Sequence, residues 1–131
     1  MGVKILVIED NRQNRYLITY LLEHKGYKVL QAVNGIAGIR LSIDERPDLI
    51  LLDIQLPDMD GYAVAETLTA DPTTSNIPIV AVTSYAMVGD REQALSAGCR
   101  GYIEKPIDPE NFASQIESFL PGNTDTDKGV S

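Results

Sequence analysis

Residues 48–61 read DLILLDIQLPDMDG. The run from Leu49 to Leu52 is the most apolar in the chain, is too short for a helix, and ends on an acid, Asp53. With no polar residue alternating through it, it reads as a strand buried on both faces, central in a parallel sheet. The following loop, IQLPDMD, leads into a helical segment from about Gly61 to Ala70. A buried strand that stops on a carboxylate and turns into a loop before a helix is half of a βα unit, so the flanking sequence is expected to supply more of them.

Upstream, Val3 to Ile8 is a second apolar run, broken only by Lys4. It is followed by a helical pattern with Leu17, Ile18, Leu21 and Leu22 on one face, ending near Gly26. KVLQA (28–32) is a short strand, and Asn34 is placed to cap a helix that runs to about Glu45 and stops before Pro47. Downstream, DPTTSNIP is a turn-rich connection, IVAVT (79–83) a fourth strand, and Asp90 to Ala97 a fourth helix. GYIEK (101–105) is a fifth strand. Asp108, Pro109 and Glu110 then predict a helix start, as cap, first-position proline and first-turn acid, with Phe112, Ile116, Phe119 and Leu120 as its apolar face. Five strands alternating with five helices predict an α/β fold: a five-stranded parallel sheet of order 2-1-3-4-5 with helices on both faces. Residues 1–120 form this domain. The tail PGNTDTDKGVS (121–131) is polar and aperiodic and is expected to be disordered.

Folds of this kind bind ligands at the carboxyl ends of their strands. There the sequence places Glu9 and Asp10 after strand 1, Asp53 after strand 3, Thr83 and Ser84 after strand 4, and Lys105 after strand 5. Carboxylates gathered at one edge repel one another, and a hard divalent cation relieves that repulsion. Magnesium suits the set, with Asp10 and Asp53 as ligands, the backbone carbonyl of Gln55 as a further oxygen, and Glu9 acting through water. A carboxylate beside a metal can attack a phosphoryl group, with Lys105 and the Thr83 hydroxyl covering the oxygens.

Four segments, VIEDN, DLILLDIQLPDMDG, IVAVTS and GYIEKP, occur in this order, and together they closely resemble the receiver domains of two-component response regulators. The resemblance runs from Val3 to Leu120. It implies a flavodoxin-like (βα)5 fold, Asp53 as phosphoacceptor, magnesium held through Asp10 and Asp53 with Glu9 nearby, and phosphoryl contacts from Thr83 and Lys105. It also implies a cis bond between Lys105 and Pro106, and Tyr102 as the aromatic partner of Thr83 in a conformational switch. The phosphoryl donor would be a histidine kinase or a histidine phosphotransfer protein, and a downstream protein would read the face formed by helix 4, strand 5 and helix 5. Within that family the chain is similar to the single-domain receivers of the cell-cycle type. Such a chain is a switch that takes part in its own phosphorylation and dephosphorylation, not a turnover enzyme. Leu56 and Ser84 depart from the commoner Met and Ala or Gly of the family. Gln55 and Tyr85 fall where the family modulates phosphoryl lifetime.

Other readings fit less well. A phosphohydrolase with an aspartate nucleophile would carry a second acid two residues on, where this chain has Gln55. A flavin carrier would need a Ser/Thr/Gly-rich phosphate loop after strand 1, where this chain has the acidic EDNRQN. A docking module that never accepts phosphate would have no use for the full residue set. The net charge of -8 opposes sequence-independent nucleic-acid binding. No apolar run approaches the ~18 residues of a membrane span, so a cytoplasmic setting is expected. The single cysteine, Cys99, is expected to be a buried packing residue, and the single histidine, His24, a surface residue near a helix end.

Overall fold

The structure, a computed structural model, describes residues 2–84 and 88–120. Tyr85 and the tail 121–131 lie outside the described residues. In chain order the elements are β1 (Lys4–Ile8), α1 (Arg12–His24), β2 (Lys28–Ala32), α2 (Gly35–Glu45), β3 (Leu49–Asp53), α3 (Gly61–Ala70), β4 (Ile79–Thr83), α4 (Asp90–Ser96), β5 (Gly101–Glu104) and α5 (Phe112–Glu117). The strands form one sheet in the order β2-β1-β3-β4-β5, all neighbours parallel. This is the expected topology, and it puts the chain reversal between β1 and β3.

Strict alternation along the strands splits the core in two. Leu6, Ile8, Ile50, Leu52, Ile79 and Ala81 face the side covered by α2, α3 and α4, where they meet Val64, Ala65, Leu68 and Ala94. Ile5, Val7, Leu49, Leu51, Val80, Val82 and Ile103 face α1 and α5, where they meet Ile18, Leu22, Phe112 and Ile116. Both faces are therefore dry, which explains why β3 and β4 show no polar position until Asp53 and Thr83. Cys99 is a packed member of the first cluster, and burial pushes its thiol up to about 11.

The helix ends follow local chemistry. Asn34 caps α2, accepting from the Ala37 N–H at 2.8 Å. At its other end the left-handed Arg46 (φ 44°) closes the helix ahead of Pro47. Asn11 caps α1 and Asp60 caps α3 in the same way. One start differs from expectation: α5 begins at Phe112, not at Pro109. The Asp108 side chain does accept from the Glu110 N–H at 3.1 Å, but it also bonds Asn111 Nδ2 at 2.7 Å. Residues 109–111 consequently form a turn, and the Asp108 carbonyl accepts the first helical bond from the Phe112 N–H. The Lys105–Pro106 bond is cis, as the resemblance implied.

Candidate functional site

β1 and β3 stand side by side, with Ile8 opposite Leu52. Their next residues therefore emerge together at the carboxyl edge. Glu9, Asp10 and Asp53 bring one carboxylate oxygen each to within 4.8 Å of one another. Two of the three are withdrawn from solvent, Glu9 at 1% and Asp53 at 5% exposure, while Asp10 is exposed. Backbone bonds hold the acids in place: the Glu9 N–H reaches Ala32 O, and Glu9 Oε2 accepts from the Asn11 N–H at 3.1 Å. Asp53 Oδ1 accepts from the Gln55 N–H at 3.1 Å. Gln55 in turn bridges to Asp60 across the loop.

Lys105 follows β5 directly, its N–H bonded to Thr83 O at 2.7 Å. Its ammonium turns inward and lies 2.8 Å from Glu9 Oε1 and 3.7 Å from Asp53 Oδ2. The near contact is with Glu9, whose Oε1 is buried and has no aligned hydrogen bond from any described residue. Thr83, 3% exposed, ends β4 beside this group, and Ser84 is exposed.

The electrostatics are under tension. Burial, then the hydrogen bond and negative charge of Glu9, push Asp53 up to about 7, against the opposing pull of the Gln55 N–H and the Lys105 ammonium. One ammonium beside three carboxylates leaves a local excess of negative charge. Three convergent carboxylates form an oxygen-only donor set that suits a hard divalent cation with retained waters, and magnesium fits that description. All of the sequence-predicted strand-end residues thus meet at one edge. Tyr102 stands apart from it, half-buried on β5 opposite Ala81, on the same sheet face as Thr83. Its hydroxyl is buried without a hydrogen-bond partner among the described residues, and the Arg91 guanidinium lies 5.7 Å from its ring centroid.

Sequence reasoning passed over two side chains here. Arg15 Nη1 donates to Glu9 O at 3.0 Å and Asp10 O at 3.3 Å, holding the acidic turn from α1. Asp58, in the loop after Asp53, spans to the start of α2, with its two oxygens on the Gly35 and Ile36 N–H groups. An acid in a loop five residues after the site acid was the available signal, but its partners are distant in sequence.

Fold and site together define a protein class. Residues 5–117 match the family model for the response regulator receiver domain, and the chain belongs to that family. Among curated proteins it is 41% identical over 120 residues to the polar-differentiation response regulator DivK of Brucella anthropi, covering 92% of this chain and 98% of that one. The DivK of Brucella ovis is 39% identical over the same lengths. Among solved structures, the CheY-like receiver domain protein of Methanospirillum hungatei JF-1 aligns with a TM-score of 0.87 at 28% identity, covering 96% of this chain and 99% of that one. The receiver domain of a sensor histidine kinase of Pseudomonas aeruginosa PAO1 aligns with a TM-score of 0.83 at 34% identity, covering 91% and 98%. That structure has a magnesium ion coordinated in the active site cleft. The chain is a DivK-like member of the family, and its role is in two-component phosphorelay signalling.

Proposed function

We propose that Asp53 is the phosphoacceptor of this chain and that a phosphohistidine on a histidine kinase or histidine phosphotransfer protein is the donor. The observation that carries the reading is the convergence of three carboxylates and one buried ammonium at the carboxyl edge of the sheet. The Asp53 carboxylate attacks phosphorus; a P–O bond forms, the P–N bond to the donor imidazole breaks, and the imidazole keeps the electron pair. Asp10, Asp53 and the Gln55 carbonyl would hold magnesium, with Glu9 acting through water, and the ion would supply charge neutralisation at the phosphoryl oxygens. Lys105 exchanges its contact with Glu9 for a phosphoryl oxygen, and the Thr83 hydroxyl donates to another. The unit formed by residues 1–120 acts as a switch with residues 121–131 as a tail, turns over no substrate of its own, and works in the cytoplasm. Its output goes to a protein docked on α4, β5 and α5, not to nucleic acid, which the net charge of -8 would repel.

The test is labelling by a small phosphodonor, acetyl phosphate, with magnesium, read by intact-mass spectrometry. Wild type should gain one phosphoryl group and Asp53→Asn none. Equal labelling of the two proteins would overturn the assignment.

A further inference from the structure

The loop between β3 and α3 has two kinds of anchor. Its base is tied to itself: the Gly61 N–H bonds Ile54 O at 2.9 Å, and Gln55 bridges to Asp60. Its tip is tied to another element. Asp58 Oδ1 accepts from the Gly35 N–H at 2.7 Å and Oδ2 from the Ile36 N–H at 2.9 Å. These are two of the four N–H groups that open α2, none of which has an earlier helical carbonyl of its own. The Asn34 side chain takes a third, Ala37, and the Asn34 carbonyl accepts the first regular helical bond, from the Gly38 N–H at 3.0 Å. The cap of α2 is therefore shared between a residue of α2's own approach and a residue of the loop that follows Asp53. The bonding holds Asp58 below the usual carboxylate range, with the Gly35 N–H as the largest cause. Packing repeats the link: a Cβ on Gly35 would come within 2.4 Å of Met59 Cγ, so the loop tip rests directly on the helix backbone.

We propose that Asp58 is a positioning residue of the phosphorylation site: by capping α2 from the loop, it fixes the path of residues 54–60 and with it the Gln55 carbonyl, the backbone oxygen that would serve as a metal ligand. The inference rests on the proposed function, in which that carbonyl is a ligand. The geometry separates it from a merely stabilising cap. Asn34 caps the same helix turn through Ala37 but belongs to the β2–α2 connection, so its loss loosens α2 without releasing the loop. Loss of Asp58 releases both. Residues that orient a metal ligand from behind typically alter metal affinity by about 10- to 100-fold. Asp58 acts through the backbone of a tethered loop, so the low end is expected.

The experiment compares Asp58→Ala, Asp58→Asn and Asn34→Ala with wild type. Magnesium affinity is read by calorimetry, and amide exchange at Gln55 is read in metal-free protein. Asp58→Ala should bind magnesium about 10-fold more weakly and should exchange the Gln55 amide faster. It should need more magnesium for half-maximal labelling by acetyl phosphate while reaching the wild-type rate at saturation. Asp58→Asn, which keeps one acceptor oxygen, should fall between, and it carries the test if Asp58→Ala fails to fold. Asn34→Ala should lower the melting temperature yet leave the magnesium affinity and the Gln55 amide as in wild type. Wild-type affinity and Gln55 exchange in the Asp58 variants, or equal losses in Asn34→Ala, would overturn the proposal. If wild type itself neither binds magnesium nor labels at Asp53, the functional reading fails instead. Gln55 exchange in the metal-free variants then still decides whether Asp58 positions the loop.

Discussion

Asp53 carries an acid–base signature that can be measured without any phosphoryl donor. Its carboxyl is raised from 3.8 to about 7 by burial and by Glu9. Between those values the folded chain binds more protons than the unfolded one, so stability is lost as pH rises through that window and levels off above it. Metal-free wild type should therefore melt lower at pH 8 than at pH 5, by several degrees. Asp53→Asn, which carries no charge to repel Glu9, should flatten the slope and melt above wild type at pH 8. Magnesium should raise the wild-type melting temperature at pH 8 by binding the ionised cluster, worth about 2.7 kcal/mol at a hundredfold excess over Kd. A pH-independent melting temperature in chelator would contradict the burial argument. At this scale the sequence was informative wherever a residue's role depends on its place at a strand end. The gathering of Glu9, Asp10, Asp53, Thr83 and Lys105 at one sheet edge was legible that way. Arg15 and Asp58 were not, because their partners are backbone groups that only the folded loops bring near. Nor did the sequence reveal that Lys105 would rest on Glu9, a choice made by burial of both groups.

Among the elements, the strands were the most legible, because burial on both faces leaves an apolar run with abrupt polar ends. Helix limits were legible where a cap and a breaker coincide, as at Asn34 and Pro47. They were less so at α5, where Asp108 spends part of its bonding capacity on Asn111 and delays the helix by a turn. The junction of β3, its loop and α3 shows how tightly element packing constrains the site. A Cβ on Gly61 would meet Ile54 Cα at 2.5 Å and Asp53 O at 2.7 Å. Both obstacles are backbone and cannot rotate aside. Gly61→Ala should therefore cost about 1–3 kcal/mol, the usual range for overpacking, seen as a lower urea midpoint. Because the displaced atoms belong to Asp53 and Ile54, labelling by acetyl phosphate should slow as well. A variant with wild-type stability and labelling rate would show that α3 can shift away from β3 at little cost.

For the molecule as a whole, the question is how a charge placed at one edge reaches a distant face. Phosphorylation would bring about -1.5 to -2 units of charge and three acceptor oxygens to Asp53. A population shift follows only if some group makes different contacts in the two states. The proposed group is Thr83, whose hydroxyl would turn to a phosphoryl oxygen. It lies on the sheet face that also carries Tyr102, with Ala81 opposite Tyr102 in the β4–β5 register. The Tyr102 hydroxyl is buried without a hydrogen-bond partner among the described residues, a situation that costs about 1–3 kcal/mol. Its present position is thus not held by a polar anchor, and the Arg91 guanidinium over the ring is the contact that a movement would exchange. Since Arg91 belongs to α4, a shift of Tyr102 would change the surface made by α4, β5 and α5 together. Thr83→Ala should still label at Asp53, more slowly, because the nucleophile and the acid cluster remain. On addition of beryllofluoride, a mimic of the bound phosphoryl group, its amide shifts between Asp90 and Leu120 should move far less than those of wild type. A full wild-type pattern in Thr83→Ala would make Thr83 a bystander and route the coupling through Lys105, whose ammonium already bridges Glu9 and Asp53.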